Sequence, residues 1–234
     1  MIERLAVMRL HDGVELAPIV IPRVAAVADA MAFVVHDVRD QRQVEVAAAC
    51  GKCRGFWMYQ GKWDGVRTNH RTLSLCAAIA DGFRPFSVML WDEDEAPPER
   101  FLEDYAEWKE VSTERPAMKY KCVWAWGDLQ HVIGSRCYQF GWHDKVYRWK
   151  PGLAESGFTT CNRLVAYERT PAYYARYPYL HLSTMTAELR NKRLQAAGGN
   201  REPWWDGDVR VIEWNGDMAL ADWEAAASEV AHAR

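Results

Sequence analysis

Long hydrophobic runs are missing from this chain of 234 residues. The best apolar stretch, Val24 to Val35, is interrupted by Asp29. It falls short of the roughly 20 residues that span a bilayer. No leader is expected, since Met1-Ile2-Glu3-Arg4 runs straight into a short apolar segment with no cleavage site. A basic excess is missing too. The net charge is −3, so no global positive field draws the chain onto nucleic acid or an anionic membrane. Cysteine is sparse, at six residues, and only one Cys-x-x-Cys occurs, Cys50-Gly51-Lys52-Cys53. A structural zinc site needs four ligands, usually in pairs, and no second pair exists. There is no internal repeat and no low-complexity tract. These absences lead us to expect a soluble, cytosolic protein with reduced cysteines.

What is present is enough chain for one domain with a sizeable core. Tryptophan is abundant, at twelve residues, and serves equally to fill cores and to pack against sugar rings or bases. The first hundred residues alternate strand and helix. Strands are expected at Leu5–Leu10, Met31–Val35, Gly55–Gln60 and Ser87–Trp91. Helices are expected at Leu16–Ala28, Gln43–Cys50 and Asn69–Ala80, with Pro18 and Pro22 before the first helix or in its first turn. This β-α-β order implies an α/β fold with a mostly parallel sheet and helices on both faces.

Beyond residue 97 the pattern becomes mixed. A helix is expected over Pro98–Val111, with Phe101, Tyr105 and Trp108 on one core-facing side. Strands are expected at Lys119–Trp126, Arg136–Gly141, Lys145–Trp149 and Thr160–Tyr167, and helices at Ser183–Ala197 and Asp217–Ala233. The expected organisation is a single domain: a nucleotide-binding half over 1–96, an acceptor half over 97–199, then a loop and terminal helix over 200–234. The loop at 200–208 has glycine hinges and two adjacent tryptophans. It reads either as a lid over a ligand or as a core anchor.

The most informative segment is FSVMLWDEDE at 86–95. An apolar run ending in charge reads as a buried strand reaching the surface. Four consecutive carboxylates repel one another, so a cation or a cluster of donors is expected beside them. On an extended chain Asp92 and Asp94 face one point and Glu93 another. Such oxygen ligands suit Mg²⁺ or Mn²⁺ on a phosphate-bearing substrate. Ligands of parallel sheets bind at the C-terminal strand ends. His36-Asp37 and Asp92–Asp94 both lie at such ends.

With those segments in hand, the chain resembles the GT-A glycosyltransferases of the family 2 kind. It is most like small bacterial and phage members related to lipopolysaccharide-core glucosyltransferases. The segments that carry the resemblance are VMRLHDGVEL, FVVHDVRDQRQVEVA, GVRTNHRTLSLCAAIADG, VMLWDEDE and LHLSTMTAELRNKRL. It spans roughly residues 4–195. The implied fold is GT-A: a Rossmann-like nucleotide-binding half with a mostly parallel sheet, plus an acceptor half of mixed strands and C-terminal helices.

The resemblance also implies a chemistry. A sugar would pass from a nucleotide-sugar donor, UDP-sugar first, to a hydroxyl, with Mn²⁺ or Mg²⁺ as cofactor. Asp94 would coordinate the metal, Asp92 would lie near ribose and metal, and His181 would complete the shell. Asp37 and Asp40 would hold base and ribose. Arg67 or Arg71 would approach the diphosphate, and Lys192 matches a basic position of the late helical segment. The sequence departs from the family at Asp12-Gly13, where Asn-Glu is usual, at His36, where an Asp is usual, and at Arg39, in place of a Ser.

Inverting transfer needs a carboxylate to take a proton from the acceptor. Asp144 and Asp128 are the candidates. The stretch Arg136 to Arg148, with Trp142, Lys145 and Tyr147, reads as an acceptor surface or as amphipathic strands. The acceptor is expected to be a surface glycan or a modified DNA base. Two rival readings are a nucleotidyltransferase, which usually carries a Gly-rich loop absent here after the first strand, and a catalytically silent carbohydrate- or nucleic-acid-binding protein.

Overall fold

The computed structural model describes residues 2–11, 13–36, 38, 40–60, 66–133, 142–157, 167, 170–196 and 211–232. The elements run β1 (Arg4–Leu10), α1 (Ala17–Val27), β2 (Ala30–His36), α2 (Arg42–Ala49), β3 (Cys53–Tyr59), α3 (Val66–Phe83) and β4 (Ser87–Asp92). They continue β5 (Glu95–Ala96), α4 (Phe101–Val111), β6 (Ala117–Tyr120), β7 (Cys122–Trp124), β8 (His131–Ile133) and β9 (His143–Arg148). The last are β10 (Ala172–Tyr174), β11 (Tyr179–His181), α5 (Ala187–Ala196), β12 (Val211–Glu213) and α6 (Leu220–His232). The expected strands at Arg136–Gly141 and Thr160–Tyr167, Tyr167 apart, and the loop at 200–208 lie outside the described residues.

The chain forms two compact units. The first holds Met1–Asp94, Tyr105–Lys119 and His143–Tyr174; the second holds Glu95–Asp104, Tyr120–Trp142 and Ala175–Arg234.

The first unit is built on a seven-stranded sheet of order β10-β6-β9-β4-β1-β2-β3. The alternation of the first hundred residues appears as expected: β1 pairs parallel with β2 and with β4, and β2 parallel with β3. β9 runs antiparallel to β4. Both faces of the central strands are covered. Leu5, Val7, Ala32, Val34, Val88 and Leu90 pack with Leu73, Cys76 and Ala80 of α3. The alternate residues Ala6, Met8, Met31, Phe33, Met89 and Trp91 are equally buried. That two-sided burial explains why these strands read as continuous apolar runs. Each large side chain so buried contributes about 1.5–3 kcal/mol.

α1 buries Ala17, Val20, Ile21, Val24 and Val27, at helical spacing. Its C-terminal carbonyls are capped by Lys52, whose Nζ donates to the Ala25 and Ala28 oxygens at 2.6 and 2.7 Å. One expectation is corrected here. Pro18 sits in the first turn, but Pro22 lies inside the helix. Pro22 has no N–H to donate to the carbonyl one turn back, and the buried apolar stripe holds the helix across that gap.

The second unit contains a three-stranded sheet, β5-β11-β7, and a pair, β12-β8. The expected single strand Lys119–Trp126 is split: β6 joins the seven-stranded sheet and β7 the three-stranded one. α4 buries Phe101, Tyr105 and Trp108 as expected. It also buries Asp104, whose carboxylate accepts from the backbone N–H groups of Arg176 and Tyr177 at 3.1 and 3.2 Å.

Candidate functional site at the ends of β1 and β4

The order β4-β1-β2-β3 places a topological switch between β1 and β4. From β1 the chain winds outward to β2 and β3, then returns through α3 to β4 on the other side of β1. The diverging connections open a crevice at the C-terminal ends of those two strands. The first unit has a cleft of about 170 Å³ there, lined by Arg9, Leu10, His11, His36, Thr72, Asp92, Glu93 and Asp94.

The register fixes the centre of this cleft. Arg9 of β1 is the neighbour of Asp92 of β4. Its Nε donates to Asp92 Oδ1 at 2.5 Å and its Nη2 to Oδ2 at 2.6 Å. The fork is bidentate, the strongest form of this pair. A third donor, Nη1, reaches Thr72 Oγ1 of α3 at 3.3 Å. The cation expected beside the carboxylate run is therefore Arg9, which the sequence reading missed. Its signal is a lone charge inside the apolar strand LAVMRL, a position that demands a partner.

Glu93 is held by donors. Its Oε2 accepts from the His11 backbone N–H and from the Gln43 side-chain amide, both at 2.5 Å. The loop after β1 presses close, and a Cβ on Gly13 would lie 2.8 Å from the Glu93 carboxyl carbon. This gives Gly13 a local reason: position 13 has no room for a side chain while Glu93 keeps its bonds. Gly13→Ala is expected to lower the melting temperature and loosen the cleft, seen as faster amide exchange at His11.

The expected alternation of Asp92 and Asp94 is corrected. β4 ends at Asp92 and Glu93-Asp94 form a turn, so all three carboxylates line the same cleft. The extended period of two ends where the strand ends.

His36 closes one side. It is buried, with its ring stacked on His11 at 5.0 Å and tilted against Tyr59 at 5.1 Å. His11 Nδ1 lies 2.8 Å from the His36 carbonyl oxygen. A carbonyl only accepts, so Nδ1 carries the proton.

The other candidates are placed as follows. Asp37 is outside the described residues, as are the side chains of Arg67 and Lys192. Asp40 is paired with Arg42, whose Nε donates to it at 3.0 Å, and this bond brings its carboxyl down to about 2. Arg71 is exposed on α3. Cys50 and Cys53 are half-buried free thiols at the α2–β3 junction.

Asp144 lies on β9, in the first unit. Its side chain and that of Lys119 are 5% and 7% exposed, and they pair at 3.4 Å. Burial pushes the Asp144 carboxyl up to about 7, against a smaller opposing pull from Lys145. Lys145 is itself buried, with Nζ 5.7 Å from the Trp91 ring centre. Tyr147 is fully buried. Of the two expected readings of this stretch, Lys145 and Tyr147 follow the strand and not the acceptor surface, and both are interior because β9 is an inner strand between β6 and β4.

In the second unit, His181 is the register neighbour of Glu95 and of Trp124. Its ring stacks flat on Trp124 at 4.5 Å, and its Nδ1 is 3.0 Å from Ser183 Oγ. Asp128 is half exposed in a turn. Its Oδ1 accepts from the Gln130 N–H at 2.7 Å and from His131 Nδ1 at 2.8 Å. The His131 bond, followed by the Gln130 one, holds its carboxyl below the usual range.

The divalent ion implied by the family resemblance does not fit against Asp92 as the side chains stand. Both Asp92 oxygens face the Arg9 fork, and Glu93 is engaged by His11 and Gln43. Among the described residues, no group of three or more His, Cys, Asp or Glu is placed to hold a metal ion. Among them, too, no helix is long and apolar enough to cross a membrane.

No family model matches the chain. No curated protein matches it either. Among solved structures, residues 1–349 of S. aureus TarS are 10% identical, with a TM-score of 0.47, over 97% of this chain and 69% of that one. A 4-diphosphocytidyl-2C-methyl-D-erythritol synthase from Anaerococcus prevotii is 9% identical, with a TM-score of 0.38, over 82% of this chain and 98% of that one. A mannose-1-phosphate geranyltransferase from Thermus thermophilus is 14% identical, with a TM-score of 0.40, over 87% of this chain and 81% of that one. These scores are all below 0.5, and the likenesses carry no argument about activity.

Proposed function

We propose that the protein is a transferase that uses a nucleotide-sugar donor and moves the sugar to a hydroxyl acceptor. The observation that carries this reading is the cleft at the β1–β4 switch point, with three carboxylates and Arg9 on its wall. Cofactor-sized ligands of parallel α/β sheets occupy that crevice. The ring of His11, backed by the buried His36, offers a flat flank for a base. Asp94 is the carboxylate proposed to meet the ligand directly.

Asp144 is the proposed base, chosen over Asp128. A carboxyl near 7 accepts a proton at neutral pH far better than one held below the usual range. In the step, Asp144 takes the acceptor hydroxyl proton and the acceptor oxygen bonds to the anomeric carbon. The bond from that carbon to the diphosphate oxygen breaks, and the nucleoside diphosphate leaves with the electron pair. A glycan hydroxyl and a modified DNA base are the acceptors proposed from the sequence resemblance. The roles of Asp37, Asp40, Arg67, Arg71 and Lys192 are proposals on that same basis.

One observation favours a second reading, a protein that binds such ligands without transfer: Asp92 is already engaged by Arg9. A thermal-shift screen of UDP-, GDP-, ADP- and dTDP-sugars, followed by donor turnover, separates the two. Transfer predicts stabilisation by one donor class, about 2.7 kcal/mol at a hundred times Kd, with release of nucleoside diphosphate. Stabilisation without release supports the silent reading, and no stabilisation by any donor contradicts both.

A further inference from the structure

We infer that Arg9 is the resident cation of Asp92, a positioning residue that keeps divalent metal off this carboxylate. The inference deepens the proposed transferase site, and it rests on that reading only for what the cleft finally binds.

The pair is set by the fold. Arg9 and Asp92 are register neighbours on adjacent parallel strands, so their side chains leave the sheet together. The guanidinium meets both carboxylate oxygens, and Thr72 of α3 holds its third nitrogen. The Arg9 side chain is only 19% exposed and that of Asp92 33%. A guanidinium stays charged throughout the accessible pH range, so Arg9 does not give up Asp92 by losing its proton. An incoming Mn²⁺ or Mg²⁺ would have to displace two charge-assisted hydrogen bonds and leave a half-buried guanidinium without its counter-charge.

Glu93 is held in place rather than turned to Asp92. Its Oε2 accepts from the His11 N–H and the Gln43 amide, and Gly13 packs against it. The pattern Asp-x-Asp at 92–94 thus looks like a metal motif in one dimension and is an arginine-clamped carboxylate in three. Removing the guanidinium exposes Asp92 beside Glu93 and Asp94, a carboxylate group that needs a new cation.

The test is Mn²⁺ titration of the full chain, followed by loss of the free-ion electron paramagnetic resonance signal, with no nucleotide present. Leaving nucleotide out keeps this result independent of whether a nucleotide-sugar is the true ligand. The wild-type protein and Asp92→Asn are expected to give identical titrations. Arg9→Met is expected to remove about one additional Mn²⁺ per chain, and Arg9→Met with Asp92→Asn to lose that gain. Circular dichroism checks that the variants fold. An Mn²⁺ site in the wild type that Asp92→Asn abolishes would overturn the inference, and that comparison needs no Arg9 variant. A folded Arg9→Met protein that gains no Mn²⁺ also overturns it.

Discussion

Asp144→Asn is expected to cut transfer by about 10²–10⁴-fold, the usual worth of a general base, with donor binding unchanged. The pH profile carries more information than the loss. A base must be deprotonated to act, so wild-type activity should rise with pH through about 7, where burial has placed this carboxyl. An ordinary carboxylate would put that limb near 4. The variant should lose the limb altogether.

Stability provides a second readout of the same group. The folded-state pKa of Asp144 is raised, so its protonated form contributes stability that is complete below about 4. That contribution is lost as pH rises through about 7. The slope is at most about 1.4 kcal/mol per pH unit for one group, and Lys119, at 3.4 Å, reduces it by favouring the ionised form. Denaturant melts across pH 4–8 should show this decline in the wild type and a flatter line in Asp144→Asn. An activity limb that stays near 7 in Asp144→Asn would remove Asp144 from the chemistry.

The second large effect concerns the clamp. Asp92→Ala strands a guanidinium that is mostly shielded from water, and Arg9→Met strands a carboxylate next to two others. Each single change should destabilise, and the double change should cost clearly less than their sum. A coupling of about 1–3 kcal/mol is expected for two residues in one hydrogen-bonded network. For a chain of this size each kcal/mol lowers the melting temperature by about 2–4 °C. Additive losses would mean that the fork contributes nothing beyond two independent contacts.

Much of the first unit was legible because its strands are buried on both faces and its helices carry apolar residues at regular spacing. Leu73, Cys76 and Ala80 of α3 illustrate the signal. The short strands β5, β8, β10, β11 and β12 were not legible, since two or three residues establish no period. Pro22 misled because a packed stripe outweighs one missing hydrogen bond.

At the site, the run at 92–95 correctly called for a compensating cation, but the cation lies 83 positions away on β1. Parallel pairing brings such distant residues together, and no local spacing reports it. The engagement of Glu93 by His11 and Gln43 was hidden for the same reason. Asp144 stood out by its aromatic and basic neighbours, whereas its burial and its pairing with Lys119 depend on β9 entering the sheet between β6 and β4.

The central claim is that the crevice between β1 and β4 receives a nucleotide-sugar. Its most direct test is a crystal structure of the full chain grown with the nucleotide-sugar that stabilises it most. The account predicts ligand density at the C-terminal ends of β1 and β4, with polar atoms in hydrogen-bonding reach of the Arg9, Asp92 and Asp94 side chains. Density for an ordered nucleotide-sugar elsewhere on the molecule, with this crevice holding only solvent, would contradict it.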